Sequence, residues 1–231
     1  MTALLRILGI TFILLTVATP SRAQSPVDPS GHWEGSIVAP FGEIPIALDL
    51  ARRDGTLVAT FSRKDGSVTG FPLSDVELNG NELKMTLKAN GGGVMRGAIA
   101  GTTITGTFAA FAGTAPFEVT RTGVATFATA PISTPISREL QGTWKTTLSA
   151  GNDSTTFVLT LISLADGSTT ASIADDHAVP VPARVVQDGA RVTVEIPSAR
   201  GSFSGTLKDD AIEGTYAEGP VNVPIIFTRV K

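Results

Sequence analysis

Residues 31–121 and 142–229 carry the same succession of short motifs, and a chain that writes one pattern twice folds as two copies of one unit. Gly31-His32-Trp33-Glu34-Gly35 returns as Gly142-Thr143-Trp144-Lys145. Leu48-x-Leu50 returns as Leu159-x-Leu161, and the Asp54-Gly55 turn as Asp166-Gly167. Phe71-Pro72 is matched by Val179-Pro180, and Leu83-x-Met85-x-Leu87 by Val192-x-Val194-x-Ile196. Ile104-Thr-Gly-Thr-Phe108 becomes Ile212-Glu-Gly-Thr-Tyr216, and Pro116 to Arg121 becomes Pro224 to Arg229. The order never changes, while the offset drifts from 112 to 108 residues, which confines insertions to loops. The expected organisation is a leader over 1–23, one copy over 29–122, a linker over 123–138 and a second copy over 139–231. The stretch Val124 to Ser137 holds Ala, Thr, Ser and two prolines but no charge, and reads as semi-extended.

Within each copy the apolar period is two. Ile44, Ile46, Leu48 and Leu50 alternate with Pro45, Ala47 and Asp49; Leu83, Met85 and Leu87 alternate with Lys84, Thr86 and Lys88. One apolar and one wet face describe a half-buried antiparallel strand. Turn signals at Asp54-Gly55, Asn79-Gly80, Gly91-Gly92-Gly93 and Gly101 divide the first copy into short hairpins. Strands are expected near 32–38, 43–51, 56–62, 67–71, 74–79, 82–89, 94–100, 103–109 and 115–121, with one of the nine a loop. An eight-stranded sheet with one apolar face buries that face and loses its edges by rolling shut. The fold class is therefore all-β: two tandem antiparallel up-and-down barrels of about eight strands each.

The two ends of each copy support closure. Trp33, Gly35 and Ile37 share a face of the first strand, as do Phe117, Val119 and Arg121 of the last. In a closed barrel these strands are neighbours, so Arg121 can cover Trp33, and Arg229 can cover Trp144. This combination resembles the lipocalin-like, or calycin, barrels, whose structural signature Gly31-x-Trp33 with Arg121, and Gly142-x-Trp144 with Arg229, reproduce. The whole unit is similar to a module of secreted bacterial proteins that often precedes an α/β-hydrolase or serine-hydrolase domain and is not itself catalytic. The resemblance implies a structural role for the four residues. Two departures stand out: Thr146 replaces the second glycine of the first-strand motif, and no hydrolase domain follows.

The first residues read as an address. Arg6, the apolar run Ile7 to Val17, Pro20 and the small-residue exit Ser21-Arg22-Ala23 make a secretory signal, too short to span a bilayer as a helix. A periplasmic or secreted location is expected, with no membrane span after cleavage. Losing Arg6 and Arg22 takes 18 basic residues to 16 against 21 acidic ones, a net charge of −5. No basic run exceeds two residues, so neither nucleic acid nor anionic lipid is an expected partner.

Chemistry is scarce. The absence of cysteine removes disulfides and thiolate sites, and only His32 and His177 are available as imidazoles. Gly201-Ser202-Phe203-Ser204-Gly205 places Phe where a nucleophile elbow needs Ser. Asp175-Asp176-His177 is the densest polar cluster, but adjacent residues on a strand face opposite ways, and a solvated loop is expected. His32 is expected to be a surface imidazole on the outward face. No catalytic residue, metal site or cofactor is assigned. Ile44, Ile46, Leu48, Leu83, Met85, Leu87, Phe108 and Phe117 are expected to line the first barrel, and the narrow bore of eight strands favours a filled core over a ligand cavity. The resulting expectation is an exported, non-catalytic binding or interaction module. Its partner would be a small apolar ligand or a secreted protein or polymer. The alternatives are a detached accessory domain of a secreted hydrolase system and a weak hydrolase.

Overall fold

The computed structural model describes residues 27–88, 92–110, 113–150, 153–175 and 179–231. The leader over 1–23, together with Asp176 and His177, lies outside them. Among the described residues seventeen strands form two antiparallel sheets, with no α-helix and one 3-10 turn at Pro197–Ala199.

The first sheet comprises β1 (Gly31–Ala39), β2 (Gly42–Arg53), β3 (Thr56–Arg63), β4 (Phe71–Pro72), β5 (Ser74–Asn79), β6 (Glu82–Leu87), β7 (Gly93–Ala100), β8 (Thr103–Ala110) and β9 (Gly113–Gly123). Each strand pairs with its chain neighbour, except across β4 and β5, and β1 pairs with β9. The stretch 67–71 is thus a loop that joins the strand register at Phe71, where Phe61 opposes Phe71, and is held to β3 before that by the Arg63 N–H to Val68 O and the Gly70 N–H to the Ser62 hydroxyl. Leu73 separates β4 from β5 while donating its backbone N–H to Ala59 O at 2.9 Å. The nine strands therefore amount to an eight-stranded barrel whose fourth strand is interrupted, and the break leaves the barrel nearly closed.

The second sheet is a closed barrel of β10 (Gly142–Ala150), β11 (Asp153–Ser163), β12 (Thr169–Asp175), β13 (Val181–Asp188), β14 (Arg191–Ile196), β15 (Gly201–Lys208), β16 (Ala211–Glu218) and β17 (Val221–Arg229). Here β13 is continuous where the first barrel has β4 and β5. Its register corrects one repeat assignment. Ile173 opposes Val181 as Phe61 opposes Phe71, so the counterpart of Phe71-Pro72 is Val181-Pro182, two residues beyond Val179-Pro180. The doubled Val-Pro text at 179–182 hides this in the sequence.

Alternation places the apolar set inside. Ile46, Leu48, Leu83, Met85, Leu87 and Phe117 are buried in the first barrel, with Ile44 and Phe108 half-buried against them. The hairpin at Asp54-Gly55 has both residues at positive φ, 50° and 78°, a backbone that Asp and Gly adopt at low cost and that matches strand twist.

The linker is fastened to both barrels. The Thr126 N–H donates to Asp49 Oδ1 at 2.7 Å, and the Arg53 guanidinium lies over the Phe127 ring. Ser133 exchanges backbone hydrogen bonds with Thr169, and its hydroxyl accepts the Val185 N–H at 2.8 Å. The barrels also touch directly. Thr69 N–H donates to Ser198 O at 2.9 Å, and Val179 N–H to the Ser74 hydroxyl at 3.3 Å. The β3–β4 loop of the first barrel thereby rests on one end of the second.

Candidate functional site

At the other end of each barrel, tryptophan is sealed under arginine. Trp33 and Trp144 are completely buried, each directly opposite its arginine in the strand register. Arg121 lies 4.5 Å from the centre of the Trp33 ring, and Arg229 lies 4.2 Å from that of Trp144. Each indole N–H donates to a backbone carbonyl four residues earlier, Pro29 at 3.0 Å and Leu140 at 2.9 Å. The guanidinium groups tie down the same entry segments, Arg121 to Asp28 O at 2.7 Å, and Arg229 to Gln141 O at 2.6 Å and to Glu139 O. Every polar atom of the indoles is satisfied and the rings are inaccessible. This end of the barrel is a plug, and the residues do structural work.

The open end of the second barrel is different. A cavity of about 950 Å³ runs into its interior, within the range that admits a small organic ligand. Its walls carry Leu148, Phe157, Leu159, Ile173, Val181, Val194, Phe203, Val223 and Ile225. Sequence reasoning expected a filled core, and the register shows why this barrel is not filled at its open end. Where the first barrel has Phe61, Phe71, Leu73 and Met85, the second has Ile173, Val181, Ala183 and Val194. The reverse exchange occurs at Phe203 and Phe227, which stand where the first barrel has Met95 and Val119 and stack edge to face with centres 5.2 Å apart in the cavity wall. The signal was present in the repeat, as large residues replaced by small ones on facing strands, but it needed the strand register to be read.

Polar groups gather at the mouth. Lys88, Ser67 and Phe71 of the first barrel share it with Asp175, Arg200, Tyr216 and Glu218 of the second. The Tyr216 hydroxyl donates to Glu218 Oε2 at 2.6 Å; burial, and then the neighbouring carboxylate, push its pKa well above the usual phenol value. Tyr216 is thus a neutral hydrogen-bonding group at physiological pH. The Asp65 carboxylate, held below its usual range by hydrogen bonds from Ser67, fixes the loop that forms the rim.

No family model matches the chain, and no curated protein matches it. Among solved structures it is similar to a protein of unknown function from the DUF3598 family of Nostoc punctiforme, at 14% identity over 87% of this chain and 96% of that one, with a TM-score of 0.23.

His32 is more engaged than an outward imidazole needs to be. Its Nδ1 lies 2.8 Å from Asp49 Oδ1, the oxygen that also holds the linker, and its Nε2 lies 3.4 Å from Glu34. Burial alone would lower its pKa, but the bonds to Asp49 and Glu34 carry it above the ordinary imidazole value. Through Asp49 the cluster ties β1 to β2 and to the start of the linker. Of the Asp175-Asp176-His177 cluster only Asp175 is described, and it lies at the cavity rim. The described residues hold no group of three or more His, Cys, Asp or Glu that could bind a metal.

Proposed function

We propose that this is an exported, non-catalytic protein whose second barrel binds a small apolar ligand, while the first, packed barrel braces the mouth. The observation that carries this reading is the asymmetry between the copies. At Ile173, Val181 and Val194 the cavity wall carries smaller side chains than the first barrel has at the same register positions, Phe61, Phe71 and Met85. An apolar cavity of this size lowers stability unless occupied, because its lining loses dispersion contacts. Binding an apolar molecule restores those contacts. The Trp–Arg plug and the meander of strands support kinship with lipocalin-like barrels, and the leader motif supports export to the periplasm or beyond. The polar rim gives an amphiphile somewhere to leave its head group.

The test is displacement fluorescence with cis-parinaric acid, an apolar chain that brightens when it leaves water. Wild-type protein is expected to enhance the emission and to show a raised unfolding temperature with ligand present. The double variant Val181→Phe, Val194→Met installs the first barrel's side chains at the same register positions. It is expected to weaken binding about tenfold or more while far-UV circular dichroism stays native. Equal binding by both proteins would place the ligand outside the cavity, and no binding by either would remove the proposal.

A further inference from the structure

The wall of the second barrel is parted on one side. In the first barrel the closing strands β1 and β9 pair from Trp33–Arg121 through Ser36–Glu118 to Ile37–Phe117. In the second, the equivalent ladder of β10 and β17 holds only Trp144–Arg229 and Lys145–Thr228, then stops. A groove of about 470 Å³ occupies the gap, with Thr146, Leu148, Pro224, Ile225 and Ile226 along it. Thr146, Leu148 and Ile225 also line the cavity, so groove and cavity meet across the same three side chains.

A steric difference lies at the start of the gap. A Cβ placed on Gly35 would fall 1.9 Å from the Glu118 carbonyl oxygen and 2.8 Å from Val119 Cα, so the zipped seam tolerates only glycine there. The register counterpart of Gly35 is Thr146, which carries a branched side chain into that position. Pro116 and Pro224 are equivalent and cannot explain the difference. Phe227 is larger than Val119, but its ring is turned inward onto Phe203.

We propose that Thr146 is a wedge that keeps a side portal open between β10 and β17, and that the apolar chain of the ligand passes through it from the cavity to the surface groove. The inference rests on the apolar-ligand reading above and names the ligand class within it: a molecule with a chain longer than the cavity alone can hold. Val223 and Ile225 inside and the exposed Ile226 outside give such a chain apolar contact along its path. Alternation directs the backbone groups of Thr147 and Ile226 into the slot, as those of Ser36 and Glu118 are directed at each other in the first barrel.

The experiment compares wild type with Thr146→Gly in the full chain, by amide exchange and by displacement titrations with octanoic, dodecanoic and octadecanoic acids. In wild type the Thr147 and Ile226 amides are expected to exchange about a hundredfold faster than Ser36 and Glu118, which serve as the internal control. In Thr146→Gly the two are expected to slow toward the control, and octadecanoic acid to lose about tenfold in affinity relative to octanoic acid. Unchanged exchange would overturn the wedge. Slowed exchange with the same chain-length dependence in both proteins would overturn the portal while leaving a ligand in the cavity. Binding of none of the acids by either protein would overturn the ligand reading and the portal with it. A wild-type dimer that Thr146→Gly converts to monomer in sedimentation would assign the slot to a second copy of the chain and overturn the proposal.

Discussion

Arg229 does three things at once: it covers an indole, binds the carbonyls of the entry segment, and pairs through Nε with Asp210 at 3.0 Å. Arg121 covers its indole in the same way, but among the described residues its Nε has no hydrogen-bond partner. Arg229→Ala is therefore expected to destabilise the second barrel by about 3 kcal/mol, from a desolvated cation–π contact and charged hydrogen bonds together, and more than Arg121→Ala destabilises the first. Urea unfolding of the two variants measures both effects. His32 gives the opposite kind of residue, one whose charge state matters. Because its native pKa is raised, protonated His32 adds stability that is complete below the unfolded value of about 6.5 and is lost as pH climbs through the native value. The first barrel's unfolding midpoint is expected to fall as pH rises from about 6 to 8, and His32→Gln to flatten that slope.

Strand β10 shows how far one side chain reaches at the scale of an element. The same argument runs in reverse for β1. Gly35→Thr is expected to part β1 from β9, because its Cβ has no space beside the Glu118 carbonyl. The cost should be at least about 2 kcal/mol, read by urea unfolding, with faster exchange at the Ser36 and Glu118 amides. A native-like stability would mean that the seam bends more cheaply than the contact distance implies. Strand interruption at Leu73 is a second local device. It separates β4 from β5 while its own N–H still bonds to Ala59 of β3, and the loop before β4 leans on the second barrel through Thr69.

At the scale of the molecule, the linker decides whether the barrels act separately. Its composition alone suggested a spacer, yet each of its ends is bonded into a barrel. Ser133 is buried, and its hydroxyl accepts the Val185 backbone N–H. Ser133→Ala is expected to lower the second barrel's stability by about 1–3 kcal/mol, the cost of orphaning a buried donor, with the Thr169 bridge left in place. Differential scanning calorimetry resolves it, and an unchanged unfolding of the second barrel would show that the anchor carries no weight.

What could be read from the chain itself was whatever repeats or alternates. Period-two patterning set the inward faces of the strands, Asp54-Gly55 set a hairpin, and the duplication set two barrels, because these are local rules or rules about copies. Even the wedge was visible, as Thr146 standing where Gly35 stands, although its consequence was not. The cavity, the parted seam and the leaning loop depend on which side chains meet across strands far apart in sequence. The volume left between Ile173, Val181 and Val194, and the distance from a Cβ on Gly35 to a carbonyl on β9, exist only once register and closure are fixed. Packing is a property of pairs brought together by the fold, and a linear text names the members without their meeting.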